Sequence, residues 1–116
     1  GRRLASAGRD GAVKVWDVRA RRELFALSGG RTVEAVAFSP DGELLATAGW
    51  DRDVRVWDLG GRREARAFRG HDHHVLALAF SPDGRRLASA GRDGAVKVWD
   101  AARPQGPAQS RYGEDG

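Results

Sequence analysis

The sequence contains no cysteine, so neither a disulfide framework nor a thiolate metal site is open to it. No apolar run approaches the roughly 18 residues that a membrane-spanning helix requires, and the N-terminal stretch has no secretory pattern. The chain begins at Gly1 without a methionine, which leaves room for a leader or a larger upstream region; the cytoplasm is the expected compartment. Lysine is scarce. Eighteen of the 20 cations are arginine, set against 16 acids for a formal charge of +4. The longest basic runs are pairs such as Arg21-Arg22 and Arg62-Arg63, and acids interleave with the rest, as in Arg9-Asp10 and Asp51-Arg52-Asp53. That balance reads as solvated surface and speaks against nucleic acid as the partner.

What the chain does have is a repeat. Residues 84–100, GRRLASAGRDGAVKVWD, match residues 1–17 letter for letter, and a diverged copy, GELLATAGWDRDVRVWD, fills residues 42–58. The copies place Trp-Asp pairs at Trp16-Asp17, Trp57-Asp58 and Trp99-Asp100, 41 and then 42 residues apart. Self-similarity with a period near forty marks an array of small stacked units. A chain of 116 residues is one domain at most and holds fewer than three such units.

The period within each unit is two. In residues 13–16, VKVW, Val13 and Val15 fall on one face and Lys14 and Trp16 on the other, the pattern of a strand. Gly8-Arg9-Asp10-Gly11 precedes it, and Asp-Gly between two strand-like runs signals a tight hairpin. Residues 33–38, VEAVAF, are apolar on both faces and predict a strand buried on both sides. Ser39-Pro40-Asp41-Gly42 closes that strand with turn residues, and the same four letters return at residues 81–84. About ten strands and no helix follow, including a short one at residues 65–69. From residue 101 the pattern stops; Pro104, Gly106 and Pro107 with no apolar run predict a disordered tail over 101–116.

A forty-residue unit carrying SPDG, then LASAGxD, then VxVWD resembles the WD-repeat β-propeller family, across residues 1–100. The resemblance implies an all-β fold, a partial β-propeller of four-stranded antiparallel blades. Its expected parts are a partial blade at 1–27, a full blade at 33–69 and a partial blade at 75–100, an arc too short to close a ring alone. Further repeats of a longer chain, or oligomerisation, would complete it. The resemblance also implies a bracing network in each blade, linking a His, a Ser or Thr, an Asp and the Trp. The third unit has all four as His71, Ser89, Asp93 and Trp99, with the Asp expected to accept from the imidazole. The middle unit has Thr47, Asp51 and Trp57 but no His, which puts its rigidity in question. The first has Ser6, Asp10 and Trp16.

His71-Asp72-His73-His74 is the one cluster with metal-ligand residues, and the network role of His71 with two exposed loop imidazoles explains it more economically; no metal or cofactor is expected. Ser89, His71 and Asp93 spell a triad only superficially, because that Ser belongs inside a sheet, and no catalysis is expected. Trp50 stands where the other units carry Arg9 and Arg92, in a turn that the resemblance places on the partner-binding face. Thr32, Asp72 and His74 are expected on the same face. The expected function is therefore a non-catalytic interaction scaffold for protein or peptide. The alternatives are a regulatory module of a larger signalling enzyme such as a kinase, or nucleic-acid binding through the arginines.

Overall fold

The computed structural model describes residues 3–28 and 31–101. Ten strands fill these residues, with no helix among them: β1 (Arg3–Ala7), β2 (Ala12–Asp17), β3 (Arg22–Ser28), β4 (Val33–Phe38), β5 (Leu44–Gly49), β6 (Val54–Asp58), β7 (Arg63–Phe68), β8 (Val75–Phe80), β9 (Arg86–Gly91) and β10 (Val96–Asp100). They pair only with sequence neighbours, antiparallel throughout, into three sheets: β1-β2-β3, β4-β5-β6-β7 and β8-β9-β10. No sheet closes on itself. β4, the inner strand of the second sheet, lies beside β1 on one side and β8 on the other.

Period two decides how the sheets stack. In the second sheet Leu45 pairs with Trp57, and Ala46 with Val56. Leu45 and Trp57 thus face the first sheet, where they meet Val13, Val15 and Leu27. Ala46, Ala48, Val54, Val56 and Phe68 face the third, where they meet Val75, Leu87 and Trp99. The core is therefore two seams between sheets, and only the middle sheet is covered on both faces. A Val or Leu that is fully buried in such a seam contributes about 1.5–3 kcal/mol. Phe68 stacks on Trp99 with ring centroids 4.9 Å apart, and buried Arg66 crosses the same seam to donate from Nη1 to the Asp100 carbonyl at 3.3 Å.

Three details differ from the sequence reading. β7 starts at Arg63, not residue 65, because Arg63 and Glu64 pair with Asp58 and Trp57 beyond a bulge. β4 has a bulge between Val33 and Ala35 that throws Glu34 out to solvent, so this strand is half-buried, not buried on both sides. Ala101, expected to open the tail, is buried in the second seam and donates its N–H to the Arg85 carbonyl. Residues 102–116 lie outside the described residues.

The β1–β2 and β9–β10 turns put Gly11 and Gly94 at φ of 86° and 88°, the left-handed region that glycine enters without cost. The equivalent position of the middle turn is Arg52, at φ 69°. There the backbone holds a conformation that an L-residue adopts with some strain, in the turn that carries Trp50.

Candidate interaction face

Each indole of the repeated Trp-Asp pairs donates across its hairpin to a hydroxyl. Trp16 Nε1 reaches Ser6 Oγ at 3.0 Å, Trp57 reaches Thr47 Oγ1 at 2.9 Å, and Trp99 reaches Ser89 Oγ at 2.8 Å. Register explains the contact. Leu4 pairs with Trp16, Leu45 with Trp57 and Leu87 with Trp99, so the hydroxyl two residues along shares the indole's face. In the third sheet His71, at the foot of β8, adds its Nε2 to Ser89 Oγ at 2.7 Å.

The Asp does not join that network. His71 Nδ1 is buried with no hydrogen-bond partner among the described residues, and Asp93 Oδ1 accepts instead from the Ala95 N–H at 3.0 Å. Asp10 does the same for Ala12, at 2.9 Å. An aspartate next to a tight turn finds a backbone amide two residues on, and this local bond wins over the longer reach to the imidazole. The middle sheet, which lacks the His, makes the same bond, from the Asp53 N–H to Asp51 Oδ1 at 3.2 Å, and adds a second hold on its Asp. Arg55 donates to Asp51 Oδ2 through Nε at 3.2 Å and Nη2 at 2.9 Å, and through Nη1 to Glu64 at 3.0 Å. The Asp51 hydrogen bond, the largest cause, raises the Arg55 pKa. Lys14 and Lys97 stand where Arg55 does in the other two copies. A lysine cannot make the fork, so the middle turn has a clamp that its neighbours lack.

Burial, the largest cause, and then the Lys97 charge push the His71 pKa below its ordinary 6.5, while Asp93 and Asp72 act the other way. The unfolded chain therefore takes up this proton at a higher pH than the folded chain does. Stability from neutral His71 is fully present above pH 6.5 and is lost as pH falls from 6.5 through the lower folded value. The His71 ring protons should titrate with a midpoint below 6.5 in an NMR series, and His71→Gln should flatten the stability–pH curve over that interval. A midpoint at or above 6.5 would contradict the burial argument.

The β1–β2, β5–β6 and β9–β10 turns and the residues that lead into β4 and β8 gather at one end of the stack, and hydrogen bonds stitch them together. Thr32 Oγ1 donates to the Arg9 carbonyl at 2.8 Å, the Trp50 N–H donates to the Thr32 carbonyl at 2.9 Å, and the Arg92 N–H donates to the His74 carbonyl at 2.8 Å. Arg9, Thr32, Trp50, His74 and Arg92 thus line one continuous rim. Asp72 is exposed in the loop that ends in His74. Trp50 is 40% exposed. Its ring stacks on His74 with centroids 4.7 Å apart and planes 15° from parallel, and its Nε1 donates to Glu34 Oε2 at 2.8 Å.

Sequence reasoning missed three residues here. Glu34, thrown outward by the β4 bulge, fixes the indole. Leu76 occupies the matching place in β8, which has its own bulge between Val75 and Ala77, and is 49% exposed. Arg55 holds the turn from below. His74 was expected to be an exposed loop residue, but it is half-buried under Trp50. His71 points inward to Ser89, and no three His, Cys, Asp or Glu side chains converge to hold a metal among the described residues. Ser89 is 1% exposed and already bridges Trp99 and His71, so its hydroxyl is closed to a substrate.

Three blade-like antiparallel sheets, stacked face to face with their turns at a common rim, define an arc of a β-propeller. The model of the WD40 family, described as WD domain, G-beta repeat, matches residues 1–17, 22–58 and 62–100. The chain belongs to the WD40 family, whose repeats generally mediate protein interactions and scaffolding. Among solved structures, that of U3-55K superposes with a TM-score of 0.83 at 27% identity, covering 89% of this chain and 34% of that one. The crystal structure of the RRP9 WD40 repeats superposes with a TM-score of 0.82 at 28% identity, covering 89% and 33%. The chain therefore spans about a third of the length of each.

Proposed function

We propose that the rim is a docking face for a protein or peptide partner and that the chain acts as a non-catalytic scaffold. The observation that carries this reading is Trp50, an exposed indole held at both ends. His74 supports its ring from the loop between β7 and β8, and Glu34 holds its N–H from β4. Because the anchor is already fixed, a partner that packs against it immobilises little, and most of the contact energy is retained. Large aromatic side chains beside arginine are the composition of binding hot spots.

Charge on the rim supports the same choice. Arg9, Arg92 and Arg52 alternate with Glu34, Asp10, Asp72 and Asp93, all exposed. Such a surface would repel as many phosphates as it attracted, whereas a polypeptide carrying both signs can match it. At the opposite end, a cleft of about 510 Å³ is lined by Arg3, Phe38 and residues 39–43. Of its two carboxylates, Asp41 is already engaged by Ser39 Oγ at 2.6 Å and the Glu43 N–H at 2.9 Å.

Peptides selected from a display library against the wild-type chain provide the test. Trp50→Ala should weaken their binding by about 30-fold or more, the loss expected of a hot-spot anchor. Thermal unfolding should change little, because this side chain lies outside both seams. Arg92→Ala should weaken binding as well, by a smaller factor. Selected peptides that bind the Trp50→Ala chain as tightly as the wild type would refute this placement of the site.

A further inference from the structure

The turn that carries Trp50 also carries a side chain that the fold does not use. Arg52 occupies the place of Gly11 and Gly94, at φ 69°, a conformation that glycine adopts without strain and an L-residue does not. Its backbone N–H donates to the Gly49 carbonyl at 3.2 Å. Its exposed guanidinium has no hydrogen bond and no ion pair among the described residues. Backbone strain that brings no contact inside the molecule marks a position with a use outside it.

The sequence neighbours of Arg52 are both acids, and both are held by other arginines. Arg55 Nη2 lies 2.9 Å from Asp51 Oδ2, and Arg69 Nε lies 3.5 Å from Asp53 Oδ2. Glu34 accepts the Trp50 N–H at 2.8 Å. These carboxylates hold the frame around Trp50, and the charge left over is the cation. The turn belongs to the second sheet, which has a sheet packed on each face, so its exposure owes nothing to the open ends of the arc.

Leu76 adds an apolar side chain to the same ground. It stands two residues along from His74, the support of the Trp50 ring, and is 49% exposed. Its counterpart in β4 is Glu34, which is exposed in spite of the sheets on both sides. The bulge itself, and not a missing neighbour, therefore turns Leu76 outward.

We infer that the partner brings an acidic segment to this rim: an Asp or Glu side chain takes the Arg52 guanidinium, beside an apolar side chain that packs on Trp50 and Leu76. The inference rests on the rim being the docking face and names the chemistry of what docks there. A carboxylate matches the planar fork of a guanidinium through two parallel hydrogen bonds. A single negative charge also suits Arg52 better than a phosphate dianion, because Asp51 and Asp53 stand on either side of it and repel the second charge.

Arg52→Gly separates this use from a structural one. It removes the guanidinium and gives the turn the residue of its two siblings, so Tm should hold or rise. Peptides selected from a display library against the wild-type chain should carry Asp or Glu within a few residues of a Leu or an aromatic residue. Their binding to the Arg52→Gly chain should be weaker by about tenfold. Exchanging the acid of one such peptide for its amide should weaken its binding to the wild-type chain by a similar factor and leave its binding to Arg52→Gly unchanged. Leu76→Ser should weaken the same peptide by about fivefold with strand content intact.

Selected peptides without an excess of acids overturn the inference. So does an acid whose exchange weakens binding equally in both chains, and so does an Arg52→Gly chain that melts lower than the wild type or binds as tightly. A phosphoserine that binds better than Glu in the same place overturns the choice of a carboxylate. If Arg52→Gly changes nothing while Trp50→Ala still removes capture, the docking face stands and only its acidic partner is lost. If Trp50→Ala binds as tightly as the wild type, the face itself is wrong.

Discussion

Ser89→Ala is expected to destabilise the third sheet by about 2–4 kcal/mol, while the same change at Ser6, in an identical stretch of sequence, should cost under about 1 kcal/mol. The two serines differ only in where the fold has put them. Ser89 is 1% exposed and its hydroxyl bonds two buried groups, the Trp99 indole N–H at 2.8 Å and His71 Nε2 at 2.7 Å. Removing it takes a buried hydrogen bond from each, at about 1–3 kcal/mol for a buried group left unsatisfied. The His71 ring is then without a hydrogen bond at either nitrogen, since Nδ1 has none among the described residues. Ser6 is exposed and bonds the half-buried Trp16 indole at 3.0 Å, where water can replace it.

Hydrogen exchange of the β9 and β10 amides reports the third sheet, and that of β1 and β2 the first, without assuming that an array of repeats unfolds in one step. Ser89→Thr should recover most of the loss, because Thr47 already does this work in the middle sheet, 2.9 Å from Trp57 Nε1. Equal losses at the two serines would mean that the hydrogen bond matters and its burial does not.

Strand number and order were legible in the letters because the period-two runs are short, regular and separated by turn residues whose backbone needs are strict. Gly11, Gly42, Gly84 and Gly94 all adopt positive φ at the places where Asp-Gly turns require it. The grouping into sheets was legible too, since each SPDG turn opens a new inner hairpin. What escaped was everything that depends on competition between partners. The expected His71–Asp93 bond lost to an amide two residues from the carboxylate, a rival present in the sequence as plainly as the imidazole. The bulges at Glu34 and Leu76 escaped because one inserted residue leaves the apolar count of a strand nearly unchanged. Arg55 could have been found: the middle unit loses its His and, at the same time, exchanges the Lys of its neighbours for Arg. The doubt over that unit's rigidity came from reading the first change without the second. Trp50 was legible as a candidate by its departure from Arg9 and Arg92, but its support by His74 and Glu34 required the loop and the bulge to be placed in space.

Among the described glycines of the rim, Gly49→Ala should be the most damaging, costing about 3 kcal/mol and lowering Tm by roughly 12–24 °C. Gly49 closes β5 opposite Val33. A Cβ there would collide with the Thr32 carbonyl oxygen and lie 2.8 Å from both the Glu34 nitrogen and the Val33 Cα. These are backbone atoms, and the backbone cannot give way cheaply. Thr32 is tied to Arg9 by its hydroxyl and to Trp50 by its carbonyl, and the Val33 N–H donates to the Gly8 carbonyl at 3.3 Å. The equivalent glycines face softer neighbours. At Gly91 the Cβ would meet the His71 ring at 2.8 Å and the Asp93 carboxylate at 2.9 Å, and at Gly8 only the Asp10 carboxylate, at 3.1 Å. Side chains can rotate, so the expected order of damage is Gly49→Ala, then Gly91→Ala, then Gly8→Ala, the last below about 1 kcal/mol. The first of these also displaces the segment that aims Trp50, so peptide capture should fall even at temperatures where the Gly49→Ala chain remains folded. Trp50→Ala, by contrast, removes capture without the thermal penalty, and that separates loss of the anchor from loss of the frame that holds it. A Gly49→Ala chain as stable as Gly8→Ala would show that the loop from Thr32 to Glu34 yields, and that the rim is softer than its hydrogen bonds imply.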